Sequence, residues 1–411
     1  MDWRIYWAPA AALLSAPAVQ AQPVGYQETL RLAALEQPAL QAREAQIEAR
    51  RQTAEAADEL PDPRLTAGLM NLPVTGPEAL DPTGQMMTML QLGVEQEIPN
   101  LAKRHAQTGI AEADVSLARA ELAHAEHMAR LGAGRAWIAL AFAQRRLALA
   151  DQTLGQLREL VPVARSAVAS GSARPAKSLE IRRALLEIED ARTRIEAERE
   201  AAQARLQRYV AVEAPVAEGA APPAEIDAAR LRATLEHNPE FLLAGAAVGR
   251  AQAATDRARA DKRPDFAIGV GYGLRDGQYG DVFSVMGSVT LPLFSGRRQD
   301  PRIRAAQAEE AAARAQRDDR LRELEAQFEA DLAAWRSAYR QWQRAEEELL
   351  PLARERADLE RASFAAGRAE LLDVVEAMTA LAILRLDILE REAATVEAAA
   401  TLRLTYTEHR P

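Results

Sequence analysis

The sequence predicts a mainly α-helical protein that also carries membrane β-strands, built as two tandem repeats of a strand pair plus a long helical hairpin. Three observations carry this prediction. The chain says the same thing twice: Leu35-Glu36-Gln37-Pro38-Ala39-Leu40 and Pro63-Arg64-Leu65-Thr66-Ala67-Gly68 return as Leu235-Glu236-His237-Asn238-Pro239-Glu240 and Pro264-Asp265-Phe266-Ala267-Ile268-Gly269. Pro239 lies as far beyond Pro38 as Pro264 lies beyond Pro63, the mark of a duplicated structural unit. Each copy then holds two short segments of period two, and each closes in helical runs far longer than the ~10–14 residues of an ordinary globular helix.

The elements follow in order. Residues 1–21 read as a signal peptide: Arg4 opens it, Ile5 to Val19 is mostly apolar, and Val19-Gln20-Ala21 is a small-residue cleavage site before Gln22. A membrane anchor is the alternative, but about fifteen residues broken by Pro9 and Pro17 fall short of the ~20 that a span needs. The first repeat is expected over 22–209. A helix from Gln27 to about Ala57, interrupted by Pro38, ends at Pro61 and Pro63. Strands are expected at about 64–72 and 86–98, where Leu90, Leu92 and Val94 alternate with Gln91, Gly93 and Glu95. The helical hairpin spans about 100–209; its first arm alone would reach on the order of 100 Å at ~1.5 Å per residue.

An Ala/Pro/Gly-rich linker covers 210–225, and the second repeat covers 226–411. Its strands, about 266–274 and 282–291, alternate more cleanly: Phe266, Ile268, Val270, Tyr272 and Leu274 stand between alanine and glycines. Its hairpin covers about 302–408 and turns at Gly367.

Composition narrows the function classes. The 411-residue chain has no cysteine, which excludes disulfides, thiolate metal sites and acylation of an N-terminal cysteine. A net charge of −9 with no basic stripe argues against nucleic acid. No Ser-His-Asp, Cys-His, P-loop or metallohydrolase spacing occurs, so no enzyme and no cofactor are expected.

Strands of ~9–11 residues with one apolar and one small or polar face suit an outer-membrane barrel, although a soluble sandwich edge would show the same alternation. Four strands cannot close a barrel, and open edges are forbidden in lipid, so membrane strands of this kind must be shared among several chains.

The duplicated plan resembles the TolC-type outer membrane efflux proteins over essentially the whole mature chain. Ala57-Asp58-Glu59-Leu60-Pro61-Asp62-Pro63-Arg64-Leu65, Asn71-Leu72-Pro73-Val74-Thr75-Gly76-Pro77, Met87-Thr88-Met89 and Gly93-Val94-Glu95-Gln96-Glu97-Ile98-Pro99 resemble its heavy-metal branch, which includes copper/silver and cobalt/zinc/cadmium exporters. The resemblance implies a homotrimer sharing a twelve-stranded β-barrel in the outer membrane lipid of a Gram-negative cell. It also implies a periplasmic α-helical tunnel that docks a periplasmic adaptor and a proton-driven RND-type inner-membrane pump. The expected function is a passive exit duct for heavy-metal cations. Drug or polypeptide export stays within the same class of duct. A periplasmic adaptor would show one hairpin rather than two, and a coiled-coil scaffold has no use for four strands.

Candidate residues cluster at the turns. Asp373 and Glu376 stand three apart on one helix face, while Leu371, Val374, Val375 and Met378 can pack on a partner helix. Alone they read as solvated carboxylates; the resemblance implies an acidic constriction ring at the tunnel entrance. The tips Ser170, Gly171 and Ser172, with Ala366, Gly367 and Arg368, are the expected adaptor-docking end. The family's lock on the closed entrance does not carry over. Phe364 stands where its reference member has tyrosine, Ala369 where it has arginine, and Lys177 where it has an acidic residue. Lys177 could pair with Asp373 or Glu370 instead. His124 and His127 form an i, i+3 pair short of a dedicated metal site, and an exposed or tunnel-facing helix stripe is expected. Met70, Met86, Met87 and Met89 are thioethers suited to soft metals, but Met86 and Met87 should face opposite ways on a strand. No metal site is assigned. Trp137, Trp335, Tyr339 and Trp342 are expected in helix packing.

Overall fold

Among the described residues each sequence copy folds in the same order, short helices first, then a strand pair, then long helices. A computed structural model describes residues 22–35, 37–170 and 175–406. The expected signal peptide, Gly171 and Ser172 lie outside the described residues, as does the side chain of Lys177. By compactness the chain forms two units, each taking pieces from both sequence copies.

Of the described residues, the first unit comprises 22–35, 129–170, 175–226 and 333–401. It opens with β1 (Gln22–Val24) and α1 (Tyr26–Ala33), and β1 pairs in parallel with β4 (Pro215–Ala217). This small sheet replaces what the sequence reads as lead-in and linker. It is held by tryptophan and glutamine side chains. Trp137 of α3 (Leu101–Ala169) is fully buried, donates Nε1–H to Val24 O at 2.7 Å, and meets Tyr26 edge-on at 5.4 Å. Gln144 Oε1 accepts the Ala217 N–H, and Gln203 of α4 (Pro175–Gln207) donates to Pro215 O. A buried indole needs a partner for its N–H, and here the backbone supplies it.

Around that sheet, Ile138, Leu140, Phe142, Leu206, Val396 and Ala400 form one apolar cluster, with Tyr339 and Trp342 against it. Trp335 donates to Ala224 O at 2.9 Å and continues the aromatic series to Tyr339 and Trp342. A second cluster joins Leu154, Leu157, Ile181 and Ile188 to Val375; a third joins Ala345, Leu350 and Ala357 to Ala377 and Leu381. Ion pairs cross the helix seams at the surface, among them Arg145–Glu392, Arg146–Glu198 and Arg158–Glu189. Exposed pairs of this kind contribute only ~0–1 kcal/mol each, so the clusters hold the unit together.

Pro162 is carried inside α3 without ending it. The second long helical run is less regular. Between α7 (Gln299–Arg344) and α8 (Leu350–Ala365), residues Ala345–Leu349 form a π-helical turn. Pro351 follows, with no N–H to offer the Glu347 carbonyl, and the wider turn absorbs the missing bond.

Of the described residues, the second unit comprises 37–128, 227–332 and 402–406. Pro38 starts α2 (Pro38–Ala56) rather than merely interrupting a helix. The four expected strands are present as β2 (Arg64–Met70), β3 (Met89–Ile98), β5 (Asp265–Leu274) and β6 (Val282–Thr290). They form one antiparallel sheet in the order β2-β3-β5-β6. The strand expected from 86 begins instead at Met89, and Met86–Met87 form a turn, because Asn71 and Thr88 close the pair. Asn71 Nδ2 donates to Met87 O and Thr88 Oγ1 donates to Asn71 O. α5 (Ala228–Arg232) and α6 (Pro239–Ala260) precede β5. Asn238 caps α6 through its side-chain oxygen on the Glu240 N–H, and its amide donates to Thr405 O near the end of α9 (Leu371–Tyr406). No helix of the described residues is long and apolar enough to cross a membrane.

Candidate functional site

The register separates the sheet into two faces. One row across all four strands reads Leu65, Val94, Val270, Val285; the adjacent row reads Thr66, Gly93, Gly271, Ser284. Period two puts the first row on one side and the second on the other. The apolar side is uncovered: Leu65, Val94, Val270 and Val285 are all exposed, as are Ile98, Phe266 and Val289 further along. The other side carries small and polar groups and the Arg64–Glu97 ion pair at 2.9 Å. The outer edges of β2 and β6 have no strand partner among the described residues.

At the helix-bearing end of the sheet, Asp265 gathers three donors. Asn100 gives it both its backbone and its side-chain N–H at 2.9 Å, and Lys103 Nζ lies at 2.8 Å. The start of α3 is thereby tied to the start of β5. At the other end, Arg275 donates to Gly280 O and to Met86 O, joining the β5–β6 loop to the segment before β3. Asp281 accepts from the Tyr272 hydroxyl at 2.6 Å.

In the first unit, the α8–α9 turn is fully described. Gly367 has φ +70°, and the Arg368 N–H reaches back to Ser363 O at 2.8 Å, satisfying a carbonyl that the helix end would leave free. Glu370 then precedes α9, and Asp373 in its first turn accepts the Glu370 backbone N–H at 2.8 Å. This is the carboxylate half of a capping box, and the spacing Glu370-Leu371-Leu372-Asp373 was its sequence signal. Val374, Val375 and Ala377 are buried, Asp373 is half-buried and Glu376 is exposed. α9 therefore presents its apolar face to the packed helices and leaves Glu376 in solvent. At the other turn, Ser170 donates its backbone N–H to Ser166 O, closing the last turn of α3.

The remaining sequence-selected residues fall elsewhere. In the second unit His127 is buried at 3% exposure and His124 is half-buried. Burial pushes the His124 imidazole below its usual value, and the Arg320 and Arg43 charges push the same way. The expected exposed or tunnel-facing stripe is thus, at His127, a packed position: the residue sits among close helices. Met70 and Met89 are register partners, while Met86 and Met87 are exposed in the turn before β3. Among the described residues no three His, Cys, Asp or Glu side chains are placed to hold a metal ion.

The fold has known counterparts. A family model described as outer membrane efflux protein matches residues 29–212 and 231–406. A membrane protein from Pseudomonas aeruginosa is similar in structure with a TM-score of 0.79 at 18% identity, over 94% of this chain and 91% of that one. CusC, solved in a study of folding and transmembrane channel formation, has a TM-score of 0.74 at 14% identity over 98% of both chains. The outer membrane protein VceC from Vibrio cholerae has a TM-score of 0.73 at 16% identity, over 93% of this chain and 97% of that one. No curated protein matches the chain by sequence.

Proposed function

The chain belongs to the outer membrane efflux protein family, and from that premise we propose that it is the exit duct of a tripartite efflux system, passing heavy-metal cations passively to the exterior. It sits in the outer membrane with its helical part in the periplasm. The single observation behind the duct reading is the sheet, whose apolar face is uncovered and whose two outer edges are unpaired among the described residues. Lipid suits the face. It does not suit the edges, because each unsatisfied backbone group there costs several kcal/mol. Pairing β6 of one copy with β2 of the next removes every edge when the ring closes, and a homotrimer closes it as a twelve-stranded barrel of ordinary outer-membrane size.

In this reading the turns at Ser170, Gly171 and Ser172 and at Ala366, Gly367 and Arg368 dock a periplasmic adaptor. The energy comes from an inner-membrane RND-type pump, and the duct itself catalyses nothing. Asp373 and Glu376 from three copies form the constriction ring, a field that favours cations. The metal assignment is supported by the motif resemblance from Ala57 to Pro99. Deleting the protein and testing growth on copper, silver, zinc, cobalt and cadmium salts and on several drugs tests it. Sensitivity to one or more metals is expected; sensitivity to drugs alone would overturn the metal cargo and leave the duct.

A further inference from the structure

The two copies differ in how they treat cations where strands give way to long helices. In the first copy each such cation has a carboxylate. Arg64 pairs with Glu97, Lys103 with Asp265 and Asp261, and Arg104 with Asp58. In the second copy Lys262 pairs with Asp300, but among the described residues Arg263, Arg297 and Arg298 have no ion-pair partner. These three are neighbours in the fold. Asp265 faces Thr290 in register, which brings the lead-in to β5 beside the exit from β6. Arg297 and Arg298 follow within one short helical turn, and all three are exposed.

Next to these cations stand two of the most exposed apolar side chains of the chain, Leu293 at 74% and Phe294 at 78%. They continue the apolar face that ends with Val289 and Leu291, both also exposed. A bare apolar pair ahead of unmatched guanidinium groups, at the rim of a lipid-facing sheet, is the composition of an interfacial lipid contact. Apolar side chains enter the acyl boundary while cations meet the charged surface. Guanidinium is the better cation for this, since its fork matches phosphate oxygens two at a time.

We infer that the β6–α7 junction binds the headgroup of an anionic phospholipid of the inner leaflet. Arg297, Arg298 and Arg263 hold its phosphate, and Leu293 and Phe294 lie against its chains. The helices that begin at this junction are periplasmic, so the junction meets the periplasmic leaflet. The site fixes the depth of the barrel. This inference rests on the outer-membrane placement of the sheet and not on the cargo, so the growth tests above bear on it in no way.

The test uses the full mature chain in neutral detergent, titrated with phosphatidylglycerol or phosphatidylcholine and followed by native mass spectrometry. Phosphatidylglycerol adducts are expected at roughly tenfold lower lipid concentration, given the usual gain per interfacial cation. R297Q/R298Q should bring the two lipids together without changing the far-UV circular dichroism. L293S/F294S should weaken both lipids alike. Equal binding of the two lipids by the unaltered protein overturns the proposal, as does full competition by millimolar inorganic phosphate, which would mark a free-phosphate site. If R297Q/R298Q splits the assembly while lipid preference persists, the arginines join copies of the chain to one another, and the proposal fails. If neither lipid binds, the proposal fails and the membrane placement of the sheet stands.

Discussion

Asp373 Oδ2 accepts the Glu370 backbone N–H at 2.8 Å, so the carboxylate proposed for the constriction also closes the first turn of its own helix. The two roles separate by substitution. Asp373→Asn keeps an acceptor oxygen and should change stability by a few tenths of a kcal/mol, whereas Asp373→Ala should cost about 1 kcal/mol. Amide exchange at Glu370 should quicken only in the alanine variant. In planar bilayers, Asp373→Asn with Glu376→Gln should lower cation over anion selectivity, most at low salt, where screening is weakest. An unchanged reversal potential would remove both residues from the ring.

Gly367 supplies the left-handed residue of the α8–α9 turn at φ +70°, and a Cβ there would meet nothing within 4 Å. The cost of Gly367→Ala is therefore conformational alone, about 1–2 kcal/mol. Gly367→Asn should be milder. Thermal midpoints of the three proteins should fall in the order glycine, asparagine, alanine.

Gly132 has the opposite problem. A Cβ there would run into the Tyr209 hydroxyl and come within 2.6 Å of its ring carbon Cζ. Gly132→Ala should cost about 1–3 kcal/mol by overpacking. Adding Tyr209→Ala should recover part of that loss, and a double-mutant cycle showing simple additivity would contradict the contact.

His124 gives the protein an acid-sensitive component. Its folded value lies below the unfolded 6.5, so the unfolded chain binds the proton more readily. The stability is present above pH 6.5 and is lost as pH falls through the folded value. Replacing His124 by Asn should flatten the decline of the denaturation midpoint below pH 6.5; parallel curves would show that His124 contributes nothing to it.

Tyr406 works at the alkaline end. Its hydroxyl donates to Asp331 Oδ2 at 3.0 Å, and its ring meets Phe328 edge-on at 5.1 Å. Burial, then the Asp331 charge, raises the phenol well above its ordinary 10.0, so its contribution holds below pH 10.0 and declines as pH rises further. Tyr406→Phe should cost about 1–2 kcal/mol at neutral pH and should lack that alkaline decline.

The parts of this fold that were legible are those whose signals are local. Phe266 to Leu274 alternates strictly, and β5 spans Asp265–Leu274. Pro38, Pro99 and Pro292 punctuate where elements change, and Gly367 turns the chain where the sequence places the turn. Less was legible where the partner is remote. β1 and β4 have three residues each and exist because they pair across the first helical hairpin; neither has a period to detect. The π-helical turn before Pro351 answers a missing donor, which propensity alone does not register. The Asp373 cap is readable from the Glu370-to-Asp373 spacing, because a carboxylate there offers an acceptor oxygen as well as a charge.

The central seam of the sheet joins β3 to β5, with Leu90 opposite Leu274 and Ile98 opposite Phe266. Between those strands the chain must make the whole first helical hairpin. In chain order the β2–β3 pair is therefore complete long before β5 follows. Until β5 follows, one edge of β3 stays open. Closing so large a loop is slow, and an unpaired apolar hairpin invites aggregation in the interval. The duplicated plan thus leaves the first strand pair with an open edge until the second copy supplies β5.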